Sequence, residues 1–303
     1  MARSLLDLDD LSREEIDAIL DASARFREGF QARDLLSGVP VLNLFFEAST
    51  RTVTSFTLAA QRVGADVVSF TPGASSLGKG ETIADTALTL YAIGVRVIVV
   101  RHPESGFARR LSDDFEGHVI NAGDGTHAHP TQALLDLMTL RREFGRVQGL
   151  KVAIVRDILH SRVARSNIVG MRMLGAEVTL VGPRTLLPDD FKADGVRIER
   201  DLDAVLPQVD AVMMLRIQRE RITSGLLPSL DDYTARYQLN TRRLAALRQD
   251  AVVMHPGPYN RDVELTDDVL RDHRSRYAAQ VQNGTYVRMA VLDFLVNGVR
   301  VLA

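Results

Sequence analysis

Short apolar runs alternate with stretches of helical periodicity along almost the whole chain, and this alternation limits the possible folds more than any other feature. In the first half, the apolar runs predict buried strands at 39–46, 66–70, 95–101 and 118–121. Helices that end at capping glycines are predicted between them, over 52–63 and 81–93. Strands and helices that alternate in this way are typical of βαβ units with a parallel sheet.

A second series of the same kind follows a long predicted helix at 131–144. Its strands are expected at 151–156, 177–181, 196–200, 210–215 and 251–254. Its helices are expected at 162–174, 203–207 and 241–249. The terminal segment 265–296 is predicted to be helical with a break near Asn283-Gly284. We therefore predict an α/β fold of two doubly wound domains with parallel sheets, joined by interdomain helices and sharing a cleft.

The composition excludes several classes of function. With 37 Lys and Arg against 39 Asp and Glu, the formal net charge of −2 argues against a general nucleic-acid binder. The absence of cysteine excludes disulfides, thiolate metal sites and cysteine nucleophiles, and it fits a cytoplasmic protein. The first residues lack the apolar core of a signal peptide, and no apolar run approaches the roughly 18 residues of a membrane span. We expect a cytoplasmic protein with neither nucleic acid nor a membrane as partner.

The basic residues are almost all arginine, with 34 Arg against three Lys. Biased codon usage explains most of this excess. A few arginines, however, follow predicted strands, and guanidinium groups bind carboxylate and phosphate in a bidentate manner. Because ligands of open parallel sheets lie at the carboxyl ends of the strands, these loops are where a site is expected.

The loop after the first predicted strand carries the polar run Ser49, Thr50, Arg51 and Thr52. Hydroxyl groups, a guanidinium and the backbone N–H groups of a helix start occur together there. This combination of charge, dipole and donors predicts a phosphate site. The alternative interpretation is a Ser/Thr N-cap followed by a solvent-exposed arginine.

Two further loops of the first half contain candidate residues. Arg101 ends a β-branched run, although a surface arginine is the alternative. His129 and Gln132 are spaced i, i+3 around Pro130, so both can face one ligand, whereas a capping or core imidazole is the alternative for His129. A metal site at His127-x-His129 is disfavoured because the chain has no cysteine and no matched third ligand.

The remaining candidates lie in four other loops. Lys79 lies in the Gly- and Ser-rich segment 73–81, which lacks P-loop spacing and is interpreted as a mobile lid, with a plain surface loop as the alternative. Arg162 and Arg216 follow predicted strands, where a carboxylate could be bound. The His-Pro-Gly-Pro run at 255–258 predicts a rigid turn that directs backbone carbonyls.

Taken together and in this order, these motifs resemble the transcarbamoylase family, most closely its aspartate-specific members. The resemblance covers nearly the whole chain. It rests on Phe46-Glu-x-Ser-Thr-Arg-Thr52, Ser76-Leu-Gly-Lys-Gly-Glu81, Arg101-His-Pro103, Gly123-Asp-Gly125, His129-Pro-Thr-Gln132, Arg216-x-Gln218 and His255-Pro-x-Pro258.

The resemblance implies transfer of a carbamoyl group from carbamoyl phosphate to the α-amine of L-aspartate, in pyrimidine biosynthesis, without a metal or cofactor. The implied ligands of carbamoyl phosphate are Ser49, Thr50, Arg51, Thr52, Arg101, His129, Gln132, Gly257 and Pro258. Those of L-aspartate are Lys79, Arg162, Arg216 and Gln218. The implied catalytic residues are Arg51, Thr52, Arg101 and His129, which stabilise the oxyanion formed when the amine attacks.

The resemblance also implies an organisation of domains and subunits. Residues 1–132 would bind carbamoyl phosphate, residues 133–284 would bind aspartate, and a terminal helix at 285–303 would pack back on the first domain. The Gly257-Pro258 bond would be cis. Ser76 and Lys79 would enter the site of a neighbouring subunit, which makes a homotrimer the active unit. Regulatory chains or a dihydroorotase are further conceivable partners.

Two departures from the family pattern do not unsettle the assignment, and three rival functions are disfavoured. Val53 stands where many members have Arg, and Gly257 stands where Leu or Ala is frequent. An ornithine carbamoyltransferase would need a cysteine in the turn 255–258 and acidic groups for a cationic acceptor. A non-catalytic scaffold of the pyrimidine pathway would not need the basic residues that the resemblance places in the site. A nicotinamide dehydrogenase would need a G-x-G-x-x-G that opens a helix, which this chain lacks.

Overall fold

Four parallel strands form the first sheet, in the hydrogen-bonded order β2-β1-β3-β4. They are β1 (Pro40–Phe45), β2 (Asp66–Ser69), β3 (Val97–His102) and β4 (His118–Asp124). The accompanying helices are α1 (Arg13–Arg27), α2 (Thr50–Arg62), α3 (Ile83–Ala92), α4 (Phe107–Asp114) and α5 (Pro130–Phe144). The structure is a computed structural model that describes residues 2–69, 82–155, 157–217 and 229–299.

Five parallel strands form the second sheet, in the order β7-β6-β5-β8-β9. They are β5 (Lys151–Val155), β6 (Glu177–Val181), β7 (Arg197–Glu199), β8 (Ala211–Met214) and β9 (Val252–Met254). The helices of this half are α6 (Arg162–Met173), α7 (Leu202–Val205), α8 (Leu230–Tyr237), α9 (Thr241–Ala246) and α10 (Asp267–Arg271), and α11 (Tyr277–Asn297) follows them. The predicted α/β fold with two parallel sheets is confirmed.

The chain divides into two compact units, Met1–Met138 with Gln282–Ala303, and Thr139–Val281. Both dividing points fall inside helices, the first within α5 and the second within α11. The first point thus lies at Met138/Thr139 rather than after residue 132. None of the helices in the described part of the chain combines the length and the apolar character of a membrane span.

Each face of the first sheet is covered by different helices. Residues of one face join an apolar cluster with α3 and α4, whose buried members include Leu42, Leu44, Ile98, Val100, Ala87, Phe107 and Leu111. On the opposite face, Asn43 Nδ2 donates to Thr57 Oγ1 of α2 at 3.1 Å. Because both faces are covered there, β1 and β3 are near-continuous apolar runs, which is the pattern that predicted them. The prediction of a buried strand at 66–70 is wrong, because β2 lies at the edge of the sheet and is mostly exposed.

Two helices of the first unit were not predicted. The N-terminal helix α1 begins at a complete capping box between Ser12 and Glu15, so the S-x-x-E signal was present in the sequence. Helix α4 begins after Gly106 and buries only Phe107, Ala108 and Leu111, which is a short apolar pattern.

The predicted break near Asn283-Gly284 is wrong, because α11 is continuous from Tyr277 to Asn297. A Cβ on Gly284 would lie 2.6 Å from Nη1 of Arg288 and 3.3 Å from Cδ2 of Leu135. Within the helix, Asn283 Oδ1 accepts a hydrogen bond from Nη1 of Arg27 at 2.7 Å. The glycine therefore provides room for neighbouring side chains, and tertiary contacts outweigh its low helix propensity.

Replacement of Gly64 by alanine is expected to lower the free energy of unfolding by about 3 kcal/mol or more. Gly64 has φ +85°, and a Cβ there would lie 1.8 Å from the backbone oxygen of Arg33. Gly94→Ala is the matched control, since Gly94 has φ +108° and a Cβ there would meet no described atom within 4 Å. That variant should lose only about 1 kcal/mol from backbone strain. Urea denaturation measures both, and equal losses would contradict the steric account.

Candidate active site

The strand order of the first unit reverses between β1 and β3. From β1 the chain passes to β2 on one side, whereas from β3 it passes to β4 on the other. In doubly wound sheets, ligands bind at the carboxyl ends of the two strands that flank such a reversal. The polar run at 49–52 lies at the start of α2, directly after the loop that follows β1, and Arg101 lies at the carboxyl end of β3.

Helix α2 begins directly after β1 and its loop. Ser49 occupies the N-cap position, yet its side chain caps no backbone N–H among the described residues. The first turn of α2 contains no acidic residue. Thr50 and Arg51 are exposed, whereas Thr52 is buried. The simple N-cap interpretation of Ser49 is therefore wrong, and the helix start retains its positive dipole end for an anion.

Arg101 is held at the end of β3 by an ion pair. Its Nε lies 3.0 Å from Oε2 of Glu47, which follows β1, and only 16% of the Arg101 side chain is exposed. Nη1 is 3.4 Å from the backbone oxygen of Ala122 in β4. Arg101 is thus not a surface arginine, because contacts from both neighbouring strands orient its guanidinium at the strand reversal.

His102, the next residue, adds no positive charge to this loop. Its ring stacks on Phe107 with a centroid distance of 3.7 Å. Its Nδ1 accepts a hydrogen bond from the backbone N–H of Glu104 at 3.1 Å. Burial lowers the pKa of His102, so the ring is neutral at pH 7.

The buried carboxylate of Asp124 organises the turn that leads to His129. Its Oδ2 accepts from the backbone N–H of Gly106 at 2.7 Å. Its Oδ1 accepts from Asn121 Nδ2 at 2.8 Å and from the backbone N–H of Ala128 at 3.1 Å. His129 itself is buried, and its backbone oxygen accepts from the N–H of Gln132 at the start of α5.

Asp124→Ala is expected to lower the free energy of unfolding by about 3 kcal/mol, because it leaves several buried donors without an acceptor. The activity that the resemblance implies should fall as well, since the turn before His129 loses its anchor. Asp114→Ala on α4 removes an exposed carboxylate and should change stability by less than about 0.5 kcal/mol. Urea denaturation of both variants tests this, and a similar small loss for Asp124→Ala would show that the carboxylate does not hold the turn.

Gln132 lies one turn into α5 and is also buried. Its Nε2 donates to Oδ1 of Asp136 on the next turn, at 3.0 Å. The first unit therefore holds the helix start at 49–52, Arg101, His129 and Gln132 on elements that end or begin at the carboxyl edge of its sheet.

The strand order of the second unit reverses between β5 and β8, and the same rule applies. After β5 come Asp157 and His160, whose Oδ1 and Nδ1 are 3.0 Å apart, and then Arg162 in the first turn of α6. After β8 comes Arg216, which is exposed. Both predicted aspartate-binding arginines that the structure describes thus follow the two strands of the reversal.

The backbone beside Arg216 is fixed by buried polar groups. Ile217 N–H donates to Oε1 of Glu264 at 2.8 Å, and Nδ2 of Asn260 donates to the Ile217 oxygen at 3.0 Å. Glu264 is fully buried. These contacts hold the segment in place while the Arg216 side chain remains accessible.

The turn after β9 has the geometry that the resemblance implied. The peptide bond between Gly257 and Pro258 is cis. Gly257 N–H donates to Nδ1 of His255 at 2.8 Å, and the N–H of His255 donates to Oε1 of Gln280 at 2.9 Å. The turn is therefore rigid, as its prolines predicted.

Three predicted site residues, Ser76, Lys79 and Gln218, lie outside the described residues. Within the described ranges, no group of three or more His, Asp or Glu side chains is arranged to hold a metal ion. His127 instead lies between two carboxylates, with Nδ1 at 3.2 Å from Asp124 and Nε2 at 3.6 Å from Asp7.

Family models match both halves of the chain. Residues 3–142 match the model described as "Aspartate/ornithine carbamoyltransferase, carbamoyl-P binding domain". Residues 148–295 match "Aspartate/ornithine carbamoyltransferase, Asp/Orn binding domain". The chain belongs to the aspartate/ornithine carbamoyltransferase family.

Relatives within the carbamoyltransferase family are similar over nearly their whole length. The aspartate carbamoyltransferase catalytic subunit of Salinispora arenicola is 51% identical over 305 residues, which cover 98% of this chain and 99% of that protein. The subunit of the same name from Thermobifida fusca is 51% identical over 298 residues, or 97% and 95% of the two chains. The predicted family is confirmed.

Solved carbamoyltransferase structures have the same fold. Aspartate transcarbamoylase from Trypanosoma cruzi in complex with carbamoyl phosphate has a TM-score of 0.88 at 33% identity, covering 96% of this chain and 95% of that one. The complex with carbamoyl phosphate and aspartate has a TM-score of 0.86 at 33% identity, covering 96% of each chain.

Sequence reasoning gave no role to five charged residues that contact the predicted site residues or the segments that carry them. They are Glu47, Asp124, Asp136, Glu264 and Arg288. Asp136 could have been found from its i, i+4 spacing to Gln132. The contacts of Glu47 with Arg101, of Glu264 with Ile217 and of Arg288 with Ser55 join residues that are distant in sequence, so no local pattern indicates them.

Proposed function

We propose that this protein transfers the carbamoyl group of carbamoyl phosphate to the α-amine of L-aspartate, giving N-carbamoyl-L-aspartate and phosphate for pyrimidine biosynthesis. The observation that carries the proposal is the placement of arginines at the strand reversal of each sheet, Arg101 in one unit and Arg162 with Arg216 in the other. Two anionic substrates require two cationic sites, and the relatives named as aspartate carbamoyltransferases favour aspartate as the acceptor.

The first unit is the carbamoyl phosphate domain in this proposal. The phosphate group of carbamoyl phosphate is bound by Arg101 and by the start of α2. There Ser49, Thr50, Arg51 and Thr52 supply hydroxyl groups, a guanidinium and backbone N–H groups. His129 donates to the carbamoyl oxygen and Gln132 accepts from the carbamoyl NH2. The match of residues 3–142 to a carbamoyl-P binding domain supports this assignment.

The second unit binds aspartate through Arg162 and Arg216, together with Gln218 and with Lys79 of a neighbouring subunit. Exposed Arg216 is available to bind a carboxylate in a bidentate manner, and the fixed backbone beside it reduces the entropy lost on binding. Gly257 and Pro258 offer backbone contacts to the amino groups of the substrates.

The reaction requires no covalent enzyme intermediate. The aspartate amine attacks the carbamoyl carbon, a tetrahedral oxyanion forms, and the C–O bond to phosphate then breaks. Arg101, His129 and Thr52 stabilise the oxyanion, and the departing phosphate accepts the amine proton. Catalysis therefore consists mainly of juxtaposition and electrostatic stabilisation, with Arg51 neutralising the leaving phosphate.

The active unit in this proposal is a cytoplasmic homotrimer in which Ser76 and Lys79 complete a neighbouring site. Support comes from exposed apolar side chains on elements that precede and follow residues 73–81 in the sequence. Six large hydrophobic residues are exposed in the described part of the chain, and four of them lie in this region. Leu58 is on α2, Val68 on β2 and Leu88 on α3, and Ile93 directly follows α3. Burial of this apolar surface would favour self-association.

The test compares acceptors. Purified protein is mixed with carbamoyl phosphate and either L-aspartate or L-ornithine, and phosphate and carbamoyl amino acid are both measured. We expect equal amounts of the two products with aspartate and none with ornithine above the uncatalysed rate. Turnover with ornithine alone, or with neither acceptor, would contradict the proposal.

A further inference from the structure

Gln132 and Asp136 face each other along one side of α5, and both are buried, with 8% and 0% of their surfaces exposed. The 3.0 Å hydrogen bond runs from Gln132 Nε2 to Asp136 Oδ1. An ionised carboxylate can only accept hydrogen bonds, so the contact determines which end of the Gln132 amide faces Asp136. The amide oxygen of Gln132 is thereby directed away from Asp136 and can accept a hydrogen bond from a ligand.

Arg288 of α11 brings a positive charge to this buried carboxylate. Its Nη1 donates to Ser55 Oγ at 2.7 Å, and its guanidinium lies 4.8 Å from the centroid of the Phe56 ring. Burial lowers the pKa of Arg288 to about 9, an effect that the charge of Arg101 reinforces and that of Asp136 opposes. Arg288 is therefore protonated at neutral pH.

The contacts of Arg288 with Ser55 and Phe56 do not explain why a cation is buried there. Its Nε makes no hydrogen bond within the described part of the chain. A buried charge with so few partners costs stability, and an apolar side chain would fill the same space at lower cost. Gly284 nevertheless leaves room for the guanidinium, since a Cβ there would lie 2.6 Å from Nη1. Among the charges that act on Arg288, that of Asp136 favours the protonated guanidinium.

We propose that Asp136 and Arg288 are positioning residues for carbamoyl phosphate. Asp136 orients the amide of Gln132 so that its oxygen accepts a hydrogen bond from the carbamoyl NH2, and Arg288 supplies a buried positive charge that acts on Asp136. The inference rests on the proposed function, because the contact of Gln132 with carbamoyl phosphate belongs to it.

The test uses the preference of the full-length protein for carbamoyl phosphate over acetyl phosphate, in which a methyl group replaces the NH2. Both Kd values are measured by calorimetric titration, which needs no turnover. In Asp136→Leu the preference should fall roughly tenfold, the loss expected for one well-placed hydrogen bond. The Kd of acetyl phosphate should stay within about twofold. Gln132→Leu should lose the same preference, and the double variant should lose no more than either single one.

Asp136→Leu leaves Arg288 buried without its counter-charge, so a second variant, Asp136→Leu with Arg288→Met, removes both charges together. It should show the same loss of preference. Asp293→Leu is the matched control, because Asp293 is another buried carboxylate of the first unit and accepts from Asn297 Nδ2 at 2.7 Å. It should lower Tm without changing the preference.

An unchanged preference in both Asp136 variants, or an equal rise in the two Kd values, would overturn the inference. A wild-type protein without a preference for carbamoyl phosphate would overturn it too. If the wild-type protein has the preference, the Asp136 variants lose it and nothing is transferred to aspartate, the proposed function is refuted and the role of Asp136 in binding carbamoyl phosphate is retained. The two failures are therefore distinguishable.

Discussion

Arg101→Ala is expected to lower kcat for carbamoyl transfer roughly 10²- to 10³-fold, the usual loss when one oxyanion-stabilising donor is removed. The guanidinium is mostly buried at the end of β3 and is oriented by Glu47 at 3.0 Å. Its charge therefore acts where water screens it weakly. Stability should change by less than about 1 kcal/mol, because the partner Glu47 is 30% exposed.

The matched control for this variant is Arg110→Ala. Arg110 also forms an ion pair in the first unit, with Glu104 at 2.8 Å, but the two side chains are 46% and 57% exposed. Its loss should leave kcat unchanged. Steady-state kinetics at saturating aspartate and carbamoyl phosphate measure both variants. A kcat for Arg101→Ala within a few-fold of the wild type would remove Arg101 from the catalytic set.

Arg216→Ala is expected to raise KM for aspartate roughly a hundredfold, the effect of losing a bidentate charge-assisted contact. The Kd of carbamoyl phosphate should not change, because Arg216 is not among its ligands in the proposal. Since the Arg216 side chain is exposed, Tm should stay the same. Arg216→Lys should recover only part of the affinity, because an ammonium group cannot form the planar bidentate contact of a guanidinium with a carboxylate.

Arg236→Ala is the control for this second prediction. Arg236 is an exposed arginine of the same unit, but it lies on α8 rather than after a strand. Its removal should leave KM for aspartate unchanged. A similar rise in KM for both variants would mean that general positive charge, and not a specific carboxylate contact, attracts aspartate.

The sequence predicted the strands and the arginines that follow them because both depend on local information. A strand buried on both faces is a short apolar run, and the carboxyl end of a parallel strand is a fixed place for ligands. The positions of Arg101, Arg162 and Arg216 at or after the carboxyl ends of strands followed from these two rules. Membership of the family rested on the order of several such loops, none of which was decisive alone.

The supporting contacts could not be predicted in this way, because they join residues that are far apart in sequence. Arg288 reaches Ser55 across 233 positions, and Glu264 reaches the N–H of Ile217 across 47. The same cause explains the wrong prediction of a helix break at Gly284. Local propensity favours an interruption at a glycine, whereas the packing of α11 requires a residue without a Cβ. At Ser49, a local pattern also gave a wrong expectation. Its N-cap position suggested that the side chain caps the helix, but the side chain makes no capping hydrogen bond in the described part of the chain.

The most direct test of the central claim follows the bond that the protein is proposed to make. The protein is incubated with ¹³C-carbamoyl phosphate and ¹⁵N-L-aspartate, and the products are observed by NMR. The account predicts a ureido carbon signal split by one-bond coupling to ¹⁵N, together with one free phosphate for each coupled carbon. Phosphate release without coupled carbon, or coupling only when ¹⁵N-L-ornithine replaces aspartate, would contradict it.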